Sequence, residues 1–326
     1  RGNDADNHAI TGVGFQPDLL WIKQRGDAGY DHSLTDSVRT STKMLYPDLT
    51  RAEDTHTTGV KSYNSDGFTL GTDDGSGGSY ANLVNYSKNY VAWTWKANGA
   101  GSANTDGSIN TTATSVNTTA GFSISKYTGT GSNATVGHGL GVVPKMIIVK
   151  RVNGNDAWWV YNEAIGNGAY LVLDSAGASS TSGASGLWNS TSPTSSVFSV
   201  GTNGGVNASG GTYVAYCFAD VTGYSKFGSY VGNGTSGDGA FIYTGFKPAF
   251  VIYKNTNATY HWGMFDNKRN SFNVVDDLLF PNLGNAESTG DGRKIDMLSN
   301  GFKVRATSDI NDINGSGNTI IYMAFA

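Results

Sequence analysis

Gly141-Val-Val-Pro144-Lys-Met-Ile-Ile-Val-Lys150 contains the pattern that organises the chain: Gly-x-x-Pro, five mostly apolar residues, and a lysine six places after the proline. A single copy would indicate only a buried strand entered through a proline turn. The pattern occurs twice more, at Gly14-Phe-Gln-Pro17-Asp-Leu-Leu-Trp-Ile-Lys23 and Gly245-Phe-Lys-Pro248-Ala-Phe-Val-Ile-Tyr-Lys254. Three copies predict that 326 residues are built from one module used three times.

Other features recur at similar distances from each proline. A phenylalanine follows serine and turn-forming residues at Phe68, Phe198 and Phe302. An aromatic and β-branched run begins further on, at residues 90–95, 213–218 and 320–325. Such runs after turn signals indicate strands, and the last run closes each repeat.

The repeated phrase itself is interpreted as a core strand. The three prolines (Pro17, Pro144 and Pro248) mark its entry, and the three lysines (Lys23, Lys150 and Lys254) are predicted to end it in solvent. The most repeated residues are therefore predicted to be structural, and recognition is expected in loops where the copies differ.

An Asp-x-x-Arg pair follows the phrase in two copies only. It occurs at Asp36/Arg39 and Asp266/Arg269, whereas the second copy has Asn162 and Ile165. If exposed, such a pair contributes only about 0–1 kcal/mol and fixes local geometry at most.

The first copy is predicted to begin one strand late. Copies two and three carry an extra strand before the proline, ending near Tyr127 and Tyr230, and its counterpart would fall at or before residue 1. Two explanations remain open: the sequence is a fragment of a longer chain, or another segment fills the position. An open sheet edge of unpaired backbone groups invites such pairing.

Composition favours an all-β protein. Glycine accounts for 45 of the 326 residues, about twice its typical share of about 7%. Charged residues make up only 15% of the chain, against a typical share of about 25%. A net charge of −4 and a pI near 5.7 argue against a nucleic-acid partner. No long apolar run is present, so we expect no membrane insertion. Cys217 lies within an apolar strand, where burial is the preferred interpretation.

Short alternating runs separated by Gly, Asn, Asp and Ser turns predict three tandem antiparallel β-sandwich modules, jelly-roll-like or lectin-like. Closed barrels and propeller blades are the alternatives. The predicted organisation is repeat 1 at 1–98, a linker or polar edge strand at 99–118, repeat 2 at 119–220 and repeat 3 at 221–326. Repeats 2 and 3 should form a fixed pair, with repeat 1 more freely placed. The best candidates for short helical turns are residues 35–44 and 276–280.

No catalytic, cofactor-binding or metal constellation recurs across the copies. The five histidines share no repeat position or metal-ligand spacing. The carboxylate pairs Asp73/Asp74, Asp276/Asp277 and Glu163/Asp174 are interpreted as solvated loop residues. A structural calcium ion has two candidate loops, one with Asp309, Asn311 and Asp312 and one at residues 72–76. The first has Ile313 at its fifth position and lacks the terminal glutamate, so an Asx turn is preferred.

The aromatic residues divide into two groups. Those in the closing strands, Trp93, Trp95, Tyr213 and Tyr216, are predicted core. Those near turns are candidate surface-recognition residues that could stack on sugars or on a partner, although core packing is the competing interpretation. They are Trp158, Trp159, Trp188, Tyr260 and Trp262.

Several long phrases resemble a repeated domain of marine tailed-bacteriophage structural proteins, which are described as tail fibre or virion appendage proteins. These phrases are Gly121-Phe-Ser-Ile-Ser-Lys-Tyr-Thr-Gly, Thr135-Val-Gly-His-Gly-Leu-Gly-Val-Val-Pro-Lys-Met-Ile-Ile-Val-Lys150, Trp158-Trp-Val-Tyr161 and Tyr213-Val-Ala-Tyr-Cys-Phe-Ala219. The resemblance covers nearly the whole chain and is less close after Trp262. It implies a virion-associated, oligomeric β-protein without a defined active site.

The function expected from these observations is a non-enzymatic virion component that contributes to assembly and to host-surface attachment. Its expected partners are further copies of the chain, other virion proteins and a host cell-surface glycan. Tandem copies strengthen weak contacts through effective concentration. The alternatives are a secreted bacterial carbohydrate-binding or adhesive protein and, less favoured, a polysaccharide depolymerase.

Overall fold

The computed structural model describes residues 1–72 and 84–326, and the regular structure of these residues is nearly all β. They contain twenty-three strands, and every strand pairing within their six sheets is antiparallel. The prediction of an all-β fold is confirmed. Three short helices complete the described elements: α1 Ala184–Trp188, α2 Gly204–Asn207 and α3 Ile310–Asn314.

The first third of the chain forms two sheets. A five-stranded sheet has the order β5-β4-β3-β2-β8, and a three-stranded sheet has the order β1-β7-β6. The strands are β1 His8–Thr11, β2 Leu19–Gln24, β3 Ser33–Asp36, β4 Thr40–Leu45, β5 Asp54–Thr55, β6 Val60–Asn64, β7 Gly67–Leu70 and β8 Tyr90–Trp95.

The middle third also forms a large and a small sheet. The large one has six strands in the order β14-β13-β12-β16-β10-β9, and the small one pairs β11 with β15. Residues 113–117 of the predicted linker form its edge strand. The strands are β9 Ala113–Asn117, β10 Phe122–Thr128, β11 Ala134–Gly137, β12 Met146–Arg151, β13 Trp158–Asn162, β14 Leu171–Val172, β15 Val197–Val200 and β16 Thr212–Phe218.

The last third repeats the arrangement with a four-stranded sheet, β17-β23-β19-β20, and a three-stranded sheet, β18-β22-β21. The strands are β17 Ser225–Val231, β18 Phe241–Tyr243, β19 Phe250–Asn255, β20 Gly263–Asp266, β21 Ile295–Leu298, β22 Gly301–Val304 and β23 Thr319–Phe325.

The repeated phrase forms an equivalent strand in all three large sheets. Strands β2, β12 and β19 each pair with the closing strand of the same repeat, β8, β16 and β23. The glycine that opens each phrase lies in the left-handed region, with φ of 84°, 74° and 85° at Gly14, Gly141 and Gly245. Residues with a Cβ atom rarely adopt this backbone conformation, so the turn into the strand favours glycine.

The two predicted helical segments are wrong. Most of residues 35–44 lies in β3 and β4, and residues 276–280 contain no helix. In the first segment, the alternating threonine and serine side chains suit a pleated sheet better than a helix.

The buried apolar side chains form one cluster within each third and a fourth cluster shared by all three. At the centre of the shared cluster, the last residues of the closing strands form a triangle. The ring centroids are 6.4 Å apart for Trp95 and Phe218, 5.8 Å for Trp95 and Phe325, and 6.3 Å for Phe218 and Phe325. The expectation that repeat 1 would be more freely placed is therefore wrong, because its core is continuous with those of the other repeats.

Candidate functional site at the contacts between the repeats

The three repeat lysines are buried, which contradicts the prediction that they end their strands in solvent. Lys23 is 1% exposed, and Lys150 and Lys254 are 0% exposed. Burial lowers the pKa of each ammonium group to about 8, because a charge is poorly solvated away from water. These lysines therefore belong to the interior.

Each lysine amine donates hydrogen bonds to backbone carbonyl groups. Lys150 Nζ bonds Thr50 O at 3.0 Å and Asp156 O at 2.8 Å. Lys254 Nζ bonds Ala176 O at 3.3 Å and Asn255 O at 2.7 Å. The first carbonyl in each case comes from the preceding repeat. Lys23 Nζ bonds Gln24 O at 2.8 Å within its own repeat.

An aromatic ring opposite each lysine makes a second contact between repeats. Trp158 Nε1 donates to Tyr46 O at 2.8 Å, and Trp262 Nε1 donates to Val172 O at 2.9 Å. In repeat 1 the same position is His32, whose Nε2 lies 3.0 Å from Phe280 O.

Three backbone hydrogen bonds close these contacts into a cycle. Glu53 N–H donates to Val152 O at 2.9 Å, Ser179 N–H to Thr256 O at 2.9 Å, and Glu287 N–H to Arg25 O at 2.8 Å. Each acceptor stands two residues after a repeat lysine, and each donor stands seven residues after the carbonyl that accepts from the aromatic ring. Repeat 1 thus contacts repeat 2, repeat 2 contacts repeat 3, and repeat 3 contacts repeat 1.

The Asp-x-x-Arg pairs are buried parts of these contacts. The Arg39–Asp36 and Arg269–Asp266 ion pairs both measure 2.6 Å, and the side chains of the first are 0% exposed. The Tyr216 hydroxyl of repeat 2 donates to Asp36 Oδ2 at 2.7 Å. The interpretation of exposed pairs is therefore wrong for both copies.

Repeat 2 lacks the ion pair, and repeat 3, which packs against it, lacks the donor that would contact such a pair. Trp93 Nε1 of repeat 1 donates to Asp266 Oδ2 at 3.1 Å, as Tyr216 does to Asp36. The strand registers make Met323 the repeat 3 counterpart of Tyr216 and Trp93. A thioether offers no hydrogen to donate, which matches the apolar Ile165 at the arginine position.

The proposed surface role is wrong for three of the five candidate aromatic residues. Trp158, Trp188 and Trp262 are 0%, 2% and 1% exposed. Trp159 and Tyr260 are half-buried, and the Trp159 indole bonds Asp156 Oδ1 at 3.1 Å. The competing interpretation of core packing holds for these three: Trp158 and Trp262 lie in the cluster shared by the repeats, and Trp188, at the end of α1, lies in the core of repeat 2.

Aromatic rings that sequence reasoning missed are exposed instead. Phe241 and Tyr243 are 46% and 66% exposed, on either side of the buried Ile242 in β18. The alternation of β18 could have located them, since a buried isoleucine turns both neighbours outward. Phe272 is 86% exposed on a separate loop.

A buried asparagine also recurs without having been recognised. Asn85, Asn207 and Asn314 are each 0% exposed. Their Oδ1 atoms accept from the N–H groups of Asn3, Thr130 and Asn233 at 3.2, 2.8 and 3.1 Å. The distances from the repeat prolines to these asparagines differ between copies, so spacing alone did not reveal them.

The calcium candidates of the last repeat lie at the short helix α3. Asp309 precedes the helix, and the Asn311 carbonyl accepts from Asn255 Nδ2 at 2.7 Å. Asp312 is buried and lies 3.2 Å from the Arg293 guanidinium group. Burial raises its pKa to about 6. Its charge partner is therefore an arginine.

The remaining acidic candidates are distributed over separate loops. Glu163 pairs with Lys145 at 2.5 Å, and Asp174 Oδ1 accepts from the Trp158 N–H at 2.8 Å. Asp277 lies 3.7 Å from Arg25. Asp73 and Asp74 lie outside the described residues. Within residues 1–72 and 84–326, no group of three or more His, Cys, Asp or Glu side chains is placed to hold a metal ion.

The single cysteine is buried, as expected. Cys217 is 0% exposed, and burial raises the pKa of its thiol to about 12.

Among the described residues, none of the helices has the length and apolar character needed to cross a membrane.

The fold and these contacts define an all-β chain whose recurring residues bind its three repeats together. The chain belongs to the family described as Domain of unknown function (DUF7483), which matches residues 1–326. No curated protein and no solved structure matches the chain.

Proposed function

We propose that the chain is a non-enzymatic structural component of a bacteriophage virion, a tail fibre or another appendage of the particle. In this proposal each repeat is a β-sandwich, and the three sandwiches form one rigid unit that takes part in assembly and in attachment to a host-surface glycan. The observation that supports it most is the closed cycle of contacts between the repeats, because it uses the residues that recur in the sequence.

The histidines support the same proposal, because each has a hydrogen-bond partner inside the chain. His8 contacts Asn85, His32 contacts Phe280 O, His56 contacts the Tyr46 hydroxyl, His138 contacts Thr194 O, and His261 contacts Asn282. These are structural roles. The resemblance to tail fibre and appendage proteins supplies the virion context.

Immuno-electron microscopy tests the proposal directly. An antibody raised against residues 1–326 should label purified, intact virions at one type of appendage in negative stain. An antibody against an unrelated protein is the control for background. Unlabelled virions, in a preparation that contains the chain by mass spectrometry, would contradict the virion role.

A secreted carbohydrate-binding protein is the second candidate, and the exposed rings of Phe241 and Tyr243 favour it. Flat aromatic faces stack on sugar rings. The Phe241→Ala/Tyr243→Ala variant should lose binding on a glycan array, whereas Phe272→Ala should retain it. Equal binding by both variants would contradict a sugar site on β18.

A further inference from the structure

Two carboxyl groups of repeat 1, those of Asp31 and Asp48, lie together at the contact between repeats 3 and 1. Asp48 is 8% exposed, and Asp31 is half-buried. Their side chains are within hydrogen-bond reach of each other. A Cβ atom added to Gly284 of repeat 3 would lie 3.0 Å from Asp31 Oδ1 and 3.6 Å from Asp48 Oδ2. Both carboxyl groups are therefore covered by the same loop of repeat 3.

Each of these carboxyl groups has one buried oxygen that receives no hydrogen. Asp48 Oδ1 accepts from the His32 N–H at 3.0 Å. Among the described residues, no N–H or O–H group donates to Asp31 Oδ2 or to Asp48 Oδ2. Two ionised carboxylates only accept hydrogen bonds, so they cannot bond each other. A single proton between them would make an O–H···O⁻ bond, which is among the stronger hydrogen bonds in proteins.

Repeat 3 shows how the same two positions bond each other when a donor is present. The residue before the aromatic ring is His261, and the residue that accepts from the backbone N–H of that ring is Asn282, at 3.1 Å from Trp262 N. Asn282 Nδ2 lies 2.8 Å from His261 Nδ1. An amide group thus supplies the hydrogen between the two side chains. In repeat 1 the matching side chains are both carboxyl groups, and only a bound proton can take that place.

Repeat 2 has only one of the two groups. Asp174 Oδ1 accepts from the Trp158 N–H at 2.8 Å, as Asp48 does from His32. The residue before Trp158 is Ala157, which has no polar side chain. Among the three contacts between repeats, the pair of carboxyl groups therefore belongs to the one that joins repeats 3 and 1.

The other ionisable groups of repeat 1 around the pair leave one unmatched positive charge. Burial lowers the pKa of His32 well below its ordinary value and raises the pKa of the Tyr46 hydroxyl, so both are neutral. The Arg51 guanidinium group is 3.0 Å from the Asp54 carboxylate. The Lys23 ammonium group, 1% exposed, is attracted to both carboxyl groups of the pair.

The charged groups from repeat 3 are matched by one another and by Arg25. Glu287 lies 2.6 Å from Arg25 and 2.7 Å from Arg269. Lys23 is thus the cation that remains for the pair. Buried charges are tolerated when they are paired. One proton on the two carboxyl groups leaves one negative charge, which equals the charge of Lys23.

The surroundings of the pair favour retention of that proton. Burial raises the pKa of Asp48 well above its ordinary value of 3.8, and the neighbouring Asp31 carboxylate raises it further. Burial also raises the pKa of Asp31. Two carboxyl groups this close lose their protons as a pair, because ionisation of one disfavours ionisation of the other.

We propose that Asp31 and Asp48 share one proton at neutral pH and that this proton makes the contact between repeats 3 and 1 sensitive to pH. Loss of the proton leaves two carboxylates under the Gly284 loop beside a single ammonium group. The folded chain holds the proton at a higher pH than the unfolded chain does. The stabilisation is therefore complete below pH 3.8 and is lost as the pH rises towards the folded value. This inference does not depend on the virion role.

Infrared spectroscopy of the whole chain detects the shared proton. At pH 7 the unaltered chain should show the C=O band of a protonated carboxyl group. Asp48→Asn and Asp31→Asn should each remove this band, because an amide then supplies the hydrogen. Asp312→Asn, at a carboxyl group with a pKa of about 6, should retain it. A band that is absent at pH 7, or that persists in both variants of the pair, would overturn the proposal.

The pH dependence of stability measures the number of protons. From pH 5 upwards, the folding equilibrium constant of the unaltered chain, divided by that of Asp48→Asn, should fall about tenfold per pH unit until the proton is released. Asp106→Asn, at an exposed carboxylate, should follow the unaltered chain. Urea denaturation gives both constants. A ratio that stays constant from pH 5 to 8 would refute the shared proton.

Hydrogen exchange assigns the effect to one contact. The Gly29 and Glu287 amides bond Gly284 O and Arg25 O between repeats 3 and 1, whereas the Glu53 and Ser179 amides report on the other two contacts. Between pH 5 and 8, the protection factors of Gly29 and Glu287 should fall about tenfold or more relative to Glu53 and Ser179. Asp48→Asn should abolish this difference. An equal fall at all three contacts, or no fall at any, would contradict the proposal.

Discussion

The contact between repeats 1 and 2 and the contact between repeats 2 and 3 share one framework but differ in polarity. Both have a lysine amine on a backbone carbonyl, an indole N–H on a backbone carbonyl and a backbone hydrogen bond. Only the first adds a buried ion pair, Arg39–Asp36, with the Tyr216 hydroxyl on the same carboxylate.

The difference shows which parts of the contact the module needs. The framework is satisfied largely through backbone carbonyls, which every sequence provides, so the copies could diverge around it. The ion pair changes as a unit, because a buried carboxylate without its arginine would be costly. At the contact between repeats 2 and 3, the positions of the carboxylate, the guanidinium group and the hydroxyl are occupied by Asn162, Ile165 and Met323.

The largest expected effect comes from breaking the ion pair on one side only. Arg39→Met leaves Asp36 buried without its cation, so the free energy of unfolding should fall by about 3–5 kcal/mol. Urea denaturation followed by tryptophan fluorescence measures the loss. Ile165→Met at the matching position of repeat 2 is the control, with an expected cost below about 1.5 kcal/mol. Equal costs would contradict a buried, uncompensated charge.

Removing the indole N–H should weaken both contacts alike. Trp158→Phe and Trp262→Phe should each lower the free energy of unfolding by about 1–3 kcal/mol, because a buried carbonyl loses its donor. Trp159→Phe, whose indole bond stays within repeat 2, should cost less in the same denaturation assay. A loss at Trp158 without one at Trp262 would mean that the two contacts are not equivalent.

The buried lysines predict an increase in stability with pH. Their folded pKa of about 8 lies below the ordinary value of 10.5, so between pH 8 and 10 the unfolded chain binds more protons and the free energy of unfolding rises. Each lysine adds at most about 1.4 kcal/mol per pH unit. A neutral amine retains two N–H donors, enough for both carbonyls at Lys150.

Denaturation midpoints measured from pH 7 to 10 test this slope. Lys150→Met and Lys254→Met should each reduce it by a similar amount, one variant for each contact. Lys145→Met, at a lysine paired with an exposed carboxylate on the surface, should leave it unchanged. A stability that falls between pH 8 and 10 in the unaltered chain would show that the lysines stay charged.

The smallest change is expected when the first contact is given the residues of the second. The combined substitution Asp36→Asn, Arg39→Ile and Tyr216→Met removes the charge, its partner and the hydroxyl donor together. The free energy of unfolding should stay within about 1.5 kcal/mol of the unaltered chain, since uncharged residues of similar volume can often replace a complete buried ion pair at little cost. A loss as large as that of Arg39→Met alone would show that the polar set is indispensable.

Much of the fold could be predicted from local sequence, and the site could not. The proline phrase located β2, β12 and β19, and the aromatic runs located β8, β16 and β23, because turn residues and strand patterns act over a few neighbours. The misassigned lysines and two of the misassigned tryptophans, Trp158 and Trp262, had a common cause. A strand end next to a turn is normally solvated, and here a loop from another repeat covers it.

One sequence signal did indicate that these strands are buried on both faces. Residues 19–22 and 146–149 are apolar without alternation, which is typical of a strand buried on both faces. A sandwich alone would bury one face. Every residue of β2 is buried because the second face of its sheet packs on the shared cluster.

The sequence by itself determined the threefold repetition and the positions of the recurring strands, since these depend on residue order and on the two-residue period of a strand. Only the tertiary structure decided that the repeats close into a cycle and that Lys23, Lys150 and Lys254 are inside it. Those outcomes depend on contacts between residues that are 78 to 248 positions apart in the chain. These contacts remove from water side chains whose local sequence is typical of the surface, and this desolvation changes their pKa values.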